Sequence, residues 1–150
     1  MTKSMNYYLP EGLPAPVPEP DGLSAPYWEA LRRGELLVQR CNACQGWQWG
    51  PEWICHRCHS FDLGWAPVEG KGRLYSGTRA WHAAHPALKE HGPYIFVAVE
   101  LPHAGGIRMV GNLLGDSRAP IRFGAEVEAV FEHHPDAQPP FTLLHWRYRS

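Results

Sequence analysis

Polar and apolar residues alternate most regularly in the second half of the chain. Residues 71–82, 93–102, 107–115, 125–134 and 140–149 form short runs with Val, Ile, Phe, Tyr or Trp, separated by Gly and Pro signals. Runs of that length and period predict five β-strands. Within "AEVEAVFE" the alternation sets Val127, Ala129 and Phe131 on one face and Glu126, Glu128, Val130 and Glu132 on the other. Such a strand is half exposed, with a charged outer face. The stretch "PHAGG" between the second and third runs reads as a hairpin turn. Five short strands with no long helix between them predict a small closed or nearly closed barrel.

The period changes in "SAPYWEALRRGELL", which predicts a short helix. Ser24 is placed as its N-cap, Pro26 lies in the first turn, and Gly34 ends it. Trp28 and Leu31 are three apart, with Tyr27 and Ala30 beside them, so the helix is an amphipathic plug. Arg32 and Arg33 fall in the last turn, where the helix dipole favours cations. Upstream, Pro10, Pro14, Pro16, Pro18 and Pro20 block helix formation and favour an extended chain over residues 1–23. That arm carries Tyr7, Tyr8 and Leu9 as its apolar anchors.

Between helix and barrel, "ELLVQR" predicts a strand running straight into Cys41. The chain has four cysteines, spaced Cys41-x2-Cys44-x10-Cys55-x2-Cys58. Each CxxC makes a tight knuckle that aims two thiolates at one point, and the loop between them lets the knuckles close a tetrahedron. Gly46 suits the turn after the first pair, and Gly50 with Pro51 reverses the chain. The spacing favours one structural Zn²⁺ over an iron–sulfur cluster, two disulfides or a redox CxxC, for which a thioredoxin-like βαβ unit is wanting. A site closed by four cysteines leaves no position for water or substrate. His56 and His59 beside Cys58 are read as surface residues. Trp47, Trp49 and Trp53 sit between the knuckles, too many indoles for so short a loop to bury alone. They pack onto the barrel and helix or offer an apolar patch to another subunit.

Composition narrows the functional classes. At 150 residues the chain is long enough to bury a core without a staple, so the metal serves the small ribbon alone. With 44% apolar and 19% charged residues, 15 Gly and 15 Pro, it is globular and turn-rich. The formal net charge is −1, and four thiolates on one Zn²⁺ take it to −3. Nucleic-acid binding, which draws on a basic excess, is thereby disfavoured, although ribbons and small barrels both bind strands. Membrane spans and a secretory leader are not predicted, and the cytoplasm is the expected compartment.

Catalytic groups are scarce. With all four thiols on zinc, no cysteine nucleophile is left, and G-x-S-x-G, P-loop and HExxH motifs are missing. His82, His85 and His91 fall in a predicted loop without a carboxylate spaced to orient them. Asp116 and Glu132 have no second carboxylate at an interpretable spacing. The chain is expected not to be an enzyme on its own.

The segment from Tyr27-Trp28-Glu29 through Gln39-Arg40-Cys41 and both CxxC pairs to Trp65, Val68, Gly70, Gly72, Tyr75 and Ser76 carries a family likeness. It resembles the zinc-ribbon plus OB-fold proteins once grouped as domain of unknown function 35. "PYIFVAVEL", "MVGNLLG" and "FGAEVEAVFE" resemble the later barrel strands of that family. Beyond the proline-rich extended arm over 1–23, the likeness implies a mainly β protein: an N-terminal helix with a rubredoxin-like zinc ribbon over 24–66, and a five-stranded OB-fold barrel over 67–150. It also implies an accessory subunit of a heteromeric acyl-CoA enzyme. The partner expected first is a larger thiolase-superfamily chain (thiolase, synthase or side-chain aldolase), with a MaoC-type enoyl-CoA hydratase as the alternative. Helix and ribbon would dock on that partner through Tyr27, Trp28, Leu31, Trp47, Trp49 and Trp53. Lys71, Arg73, Arg79, Arg108 and Arg147 are the candidates for the phosphates of CoA, which favour guanidinium forks.

Overall fold

The computed structural model describes residues 17–150; the anchors Tyr7, Tyr8 and Leu9 lie outside the described residues. Helix α1 spans Ala25–Arg32 and ends where Gly34 takes a left-handed φ of 73°. Ser24 stands at the N-cap position, but its hydroxyl does not bond the first-turn amides. It donates instead to the Asp21 carboxylate at 2.7 Å and accepts the Trp28 indole N–H at 3.1 Å. Asp21 takes the Leu23 and Ser24 amides, so an Asx turn starts the helix where a serine cap was expected.

Three strands then form the ribbon sheet. β1 (Leu36–Cys41) lies between β2 (Trp47–Gln48) and β3 (Leu63–Val68), antiparallel to both. The five predicted barrel strands are present: β4 (Lys71–Ala80), β5 (Tyr94–Leu101), β6 (Ile107–Leu113), β7 (Glu126–His134) and β8 (Phe141–Tyr148). They close in the order β4-β5-β6-β8-β7, with β6 and β8 the parallel pair. The β5–β6 turn follows the predicted "PHAGG", with Gly105 and Gly106 both left-handed.

Alternation along β5 buries Ile95, Val97, Val99 and Leu101, which join Leu74, Met109, Leu113, Val127, Leu144 and Trp146 in the core. Gly72 lets β4 cross close to its neighbour: a Cβ there would lie 2.5 Å from the Glu100 carbonyl oxygen.

β7 departs from its predicted pattern. Val127 is buried as expected, but Val130 and Glu132 on the supposed outer face are buried too. Their cross-strand partners on β8 are His145 and Leu143. The Glu132 carboxylate lies 3.3 Å from His145 Nε2 and 3.1 Å from His134 Nε2, the contacts a buried carboxylate requires. The charged exterior is kept at the start of the strand, where Glu126 and Glu128 pair with Arg149 and Arg147.

Ribbon, helix and barrel share one hydrophobic cluster. Tyr27, Leu31, Leu36 and Val38 are buried in it with the barrel residues, and α1 packs against both β1 and β8. Burial drives the Tyr27 phenol above its ordinary pKa. Trp47 lies against Gly105 of the β5–β6 turn, and His103 Nε2 meets the Glu69 carbonyl at 3.0 Å.

Candidate metal centre and its surroundings

The two knuckles are built alike. In each, the residue after the second cysteine sends its amide to the first cysteine's carbonyl: Gln45 to Cys41 and His59 to Cys55, both at 2.9 Å. The first cysteine's amide then bonds one residue further on, Cys41 to Gly46 and Cys55 to Ser60. Gln45 and His59 both take φ of 62°, so the left-handed position falls on them and not on Gly46 as expected. Gly46 is small for another reason. A Cβ there would sit 3.2 Å from Cys44 Sγ and 2.8 Å from Arg57 Cδ.

All four Sγ atoms lie within 4.8 Å of one another, with Cys41–Cys58 at 3.6 Å and Cys44–Cys55 at 3.7 Å. A Zn²⁺ with four bonds of about 2.3 Å sets sulfur–sulfur edges of about 3.8 Å, so the donor set fits that ion. Backbone amides point at the sulfurs: Cys44 N–H to Cys41, Gly46 N–H to Cys44 and Arg57 N–H to Cys55. The Cys58 and Arg57 amides lower the Cys55 thiol to about 6. At Cys58 the Ser60 amide acts the same way, but burial and the three neighbouring sulfurs outweigh it and push the thiol up to about 11. Thiols crowded like this resist ionising together unless a cation joins them.

A buried pair of amides, not singled out in the sequence beyond a motif match at Gln39, holds the loop between the knuckles. Gln39 and Gln48 face each other across β1 and β2 and are 2% and 4% exposed. Gln39 accepts the Glu52 amide at 3.0 Å and donates to the Glu52 carbonyl at 2.9 Å. Gln48 donates to Gln39 and to the Ile54 carbonyl, and its oxygen accepts the His56 amide and meets His56 Nδ1 at 2.7 Å. Two side chains thus supply the ladder that residues 52–56 lack. The legible signal was a pair of glutamines flanking the first CxxC on adjoining strands.

The tryptophans divide. Trp49 packs on Tyr27 with ring centroids 4.8 Å apart, Trp47 lies under the Arg40 guanidinium at 4.5 Å, and Trp28 meets Tyr27 edge-on. Tyr27 and Leu31 are 8% and 0% exposed, so they hold the helix to this chain's own core and offer no surface to a partner. Trp53 is 64% exposed, and Ile54 and Phe61, which the sequence reading left out, are exposed ribbon residues as well. A second exposed apolar group comprises Tyr75, Phe96 and Val110 on β4, β5 and β6.

The five cations named for CoA do not converge. Register places Lys71, Glu128 and Arg147 in one row and Glu126, Arg73, Glu100 and Arg108 in another, so cations and carboxylates alternate. Arg147 pairs with Glu128 at 2.9 Å, Lys71 with Glu69 at 3.5 Å and Arg108 with Glu100 at 3.3 Å, while Arg108 also stacks on Tyr75. Arg79 leaves the candidate set. It donates to the Ser117 carbonyl at 2.7 Å and to the Ala119 carbonyl, pinning the loop after β6. Among the described residues, no helix is long and apolar enough to cross a membrane.

Comparison with known proteins follows the same division. Residues 28–64 match the family model for the ChsH2 rubredoxin-like zinc ribbon domain, and residues 65–132 match that for the ChsH2 C-terminal OB-fold domain. A probable enoyl-CoA hydratase alpha subunit from Thermomonospora curvata is 36% identical over 117 residues, 78% of this chain and 34% of the relative. The 3-oxo-4,17-pregnadiene-20-carboxyl-CoA hydratase alpha subunit of Mycobacterium tuberculosis is 27% identical over 143 residues, 86% of this chain and 43% of the relative. The chain therefore spans less than half of either curated relative. Among solved structures, a chain of the Ltp2–ChsH2(DUF35) aldolase superposes with a TM-score of 0.74 at 33% identity, covering 88% of this chain and 98% of that one. A DUF35 protein of unknown function from Sulfolobus solfataricus shares the fold, with a TM-score of 0.56 at 12% identity over 83% of each chain. The chain belongs to the ChsH2 (DUF35) family of zinc-ribbon and OB-fold proteins.

Proposed function

We propose that this chain is a non-catalytic accessory subunit of a heteromeric acyl-CoA enzyme, with a thiolase-superfamily chain that makes or breaks a C–C bond as its catalytic partner. The observation that carries this reading is the match, over nearly its full length, to the ChsH2(DUF35) chain of an aldolase. The four cysteines support it, because thiols gathered at one closed metal site are withdrawn from acyl transfer. The ion would be one structural Zn²⁺, and a reducing cytoplasm would keep its thiolates as ligands. Lys71, Arg73, Arg108 and Arg147 are the cations offered to the phosphate end of CoA.

A second partner is favoured by the two hydratase alpha subunits among the relatives: a MaoC-type enoyl-CoA hydratase chain. One experiment separates the readings. The tagged chain is purified from its source with bound proteins, which are identified by mass spectrometry and assayed on acyl-CoA thioesters. Release of a carbonyl product from a β-hydroxyacyl-CoA supports the aldolase reading, and loss of enoyl-thioester absorbance supports the hydratase. A chain that emerges alone, beside acyl-CoA enzymes fully active without it, overturns both.

A further inference from the structure

The two knuckles repeat each other in backbone, yet they differ at one side chain. The residue before the second cysteine is Ala43 in the first knuckle and Arg57 in the second. Arg57 reaches back over the first knuckle. Its Cδ and one guanidinium nitrogen lie 2.8 and 3.4 Å from the point where a Gly46 Cβ would be, and Cys44 Sγ lies 3.2 Å from the same point. The knuckles are thereby joined by a contact that does not pass through the metal. Cys44 and Cys58 are the two exposed cysteines of the set, and Arg57 lies beside the first of them.

We propose that Arg57 is a positioning residue for the metal, acting as a latch that slows its loss. Two physical effects support this role. Four thiolates around Zn²⁺ carry a net charge of −2, and a guanidinium lying over Gly46, the residue two after Cys44, offsets part of it. The alkyl stem of Arg57 covers Gly46, restricting the opening of the first knuckle from the second. Other charged groups face the same knuckle: Arg40 Nε donates to the Gln45 carbonyl at 3.0 Å, and Asp62, held by Asn42 at 2.9 Å, brings an anion to its far side. Arg40 is occupied by Trp47 as well, which leaves Arg57 as the cation lying over Gly46 at the first knuckle. The inference rests on the zinc reading of the four cysteines.

The test follows zinc transfer from the full chain to a chromophoric chelator, after zinc per chain has been measured by metal analysis. Loss of the guanidinium in Arg57→Ala is expected to speed release about five-fold, the scale of one well-placed exposed charge. Arg57→Lys keeps the charge and most of the stem and is expected to restore most of the difference. Added salt is expected to accelerate release from the natural chain and to have less effect on Arg57→Ala, a readout that packing alone would not move. Release from zinc-loaded Arg57→Ala at the natural rate, or an unchanged salt response, overturns the latch alone. A natural chain that carries no zinc and takes none up overturns the zinc reading and the latch together.

Discussion

Ribbon and barrel close their interiors with different chemistry. The barrel buries Leu74, Val97, Val99, Leu101, Met109 and Trp146 behind strands that hydrogen-bond in a ring, so its stability is spread over many small apolar contacts. The ribbon has only three short strands, and its buried set includes Gln39, Gln48, Cys41 and Cys55. Its order rests on a few strong, directional interactions at the sulfurs and the two amides. Loss of one apolar side chain lowers the barrel's stability by a fraction, whereas loss of one sulfur removes the organising centre of the ribbon.

The sharpest way to test that contrast is Cys44→Ser. A structural zinc contributes on the order of 10 kcal/mol to the fold it organises, so the ribbon is expected to loosen while the barrel keeps its strands. Metal analysis and amide exchange, read separately over residues 41–60 and 71–148, check this; one zinc per chain in the variant would contradict four-cysteine ligation. Trp146→Ala is the converse. It is expected to cost about 3–5 kcal/mol in denaturant unfolding with zinc content unchanged. Third comes Gln39→Ala, which strips both partners from the Glu52 backbone and one from Gln48, an expected loss of about 1–3 kcal/mol. Faster exchange at residues 52–56 than in the barrel would place the effect in the ribbon. Arg147→Ala is expected to change stability by less than about 1 kcal/mol, since its pair with Glu128 stands at the surface. A larger loss by thermal unfolding would show that the charge rows on the barrel exterior contribute to the fold.

Legibility in the sequence followed the range of the interaction. The five barrel strands could be read because alternation is local, and the metal centre because two CxxC pairs declare themselves within 18 residues. Contacts that depend on distant partners could not be read. Glu132 looked like an exposed acid because His145, whose ring lies 3.3 Å from its carboxylate, is on another strand. Arg79 looked like a free cation because the carbonyls it serves lie 38 and 40 residues away. Tyr27 and Leu31 had the pattern of a docking helix, and they do dock, but on this chain's own core. The glutamine pair was hidden differently: Gln39 and Gln48 are close in sequence, yet glutamine is usually a surface residue, and only the sheet register turns both inward.

Gly46 and Arg57 also carry a consequence for descent. The arm at 57 lies where a side chain at 46 would begin, so in this arrangement the two positions should be inherited as a pair. Relatives with a small residue at 57 lose one of the two crowding neighbours at 46 and keep the other, the Cys44 sulfur. Those that keep arginine at 57 should keep glycine eleven positions before it, even where the rest of the loop between the knuckles has changed beyond recognition.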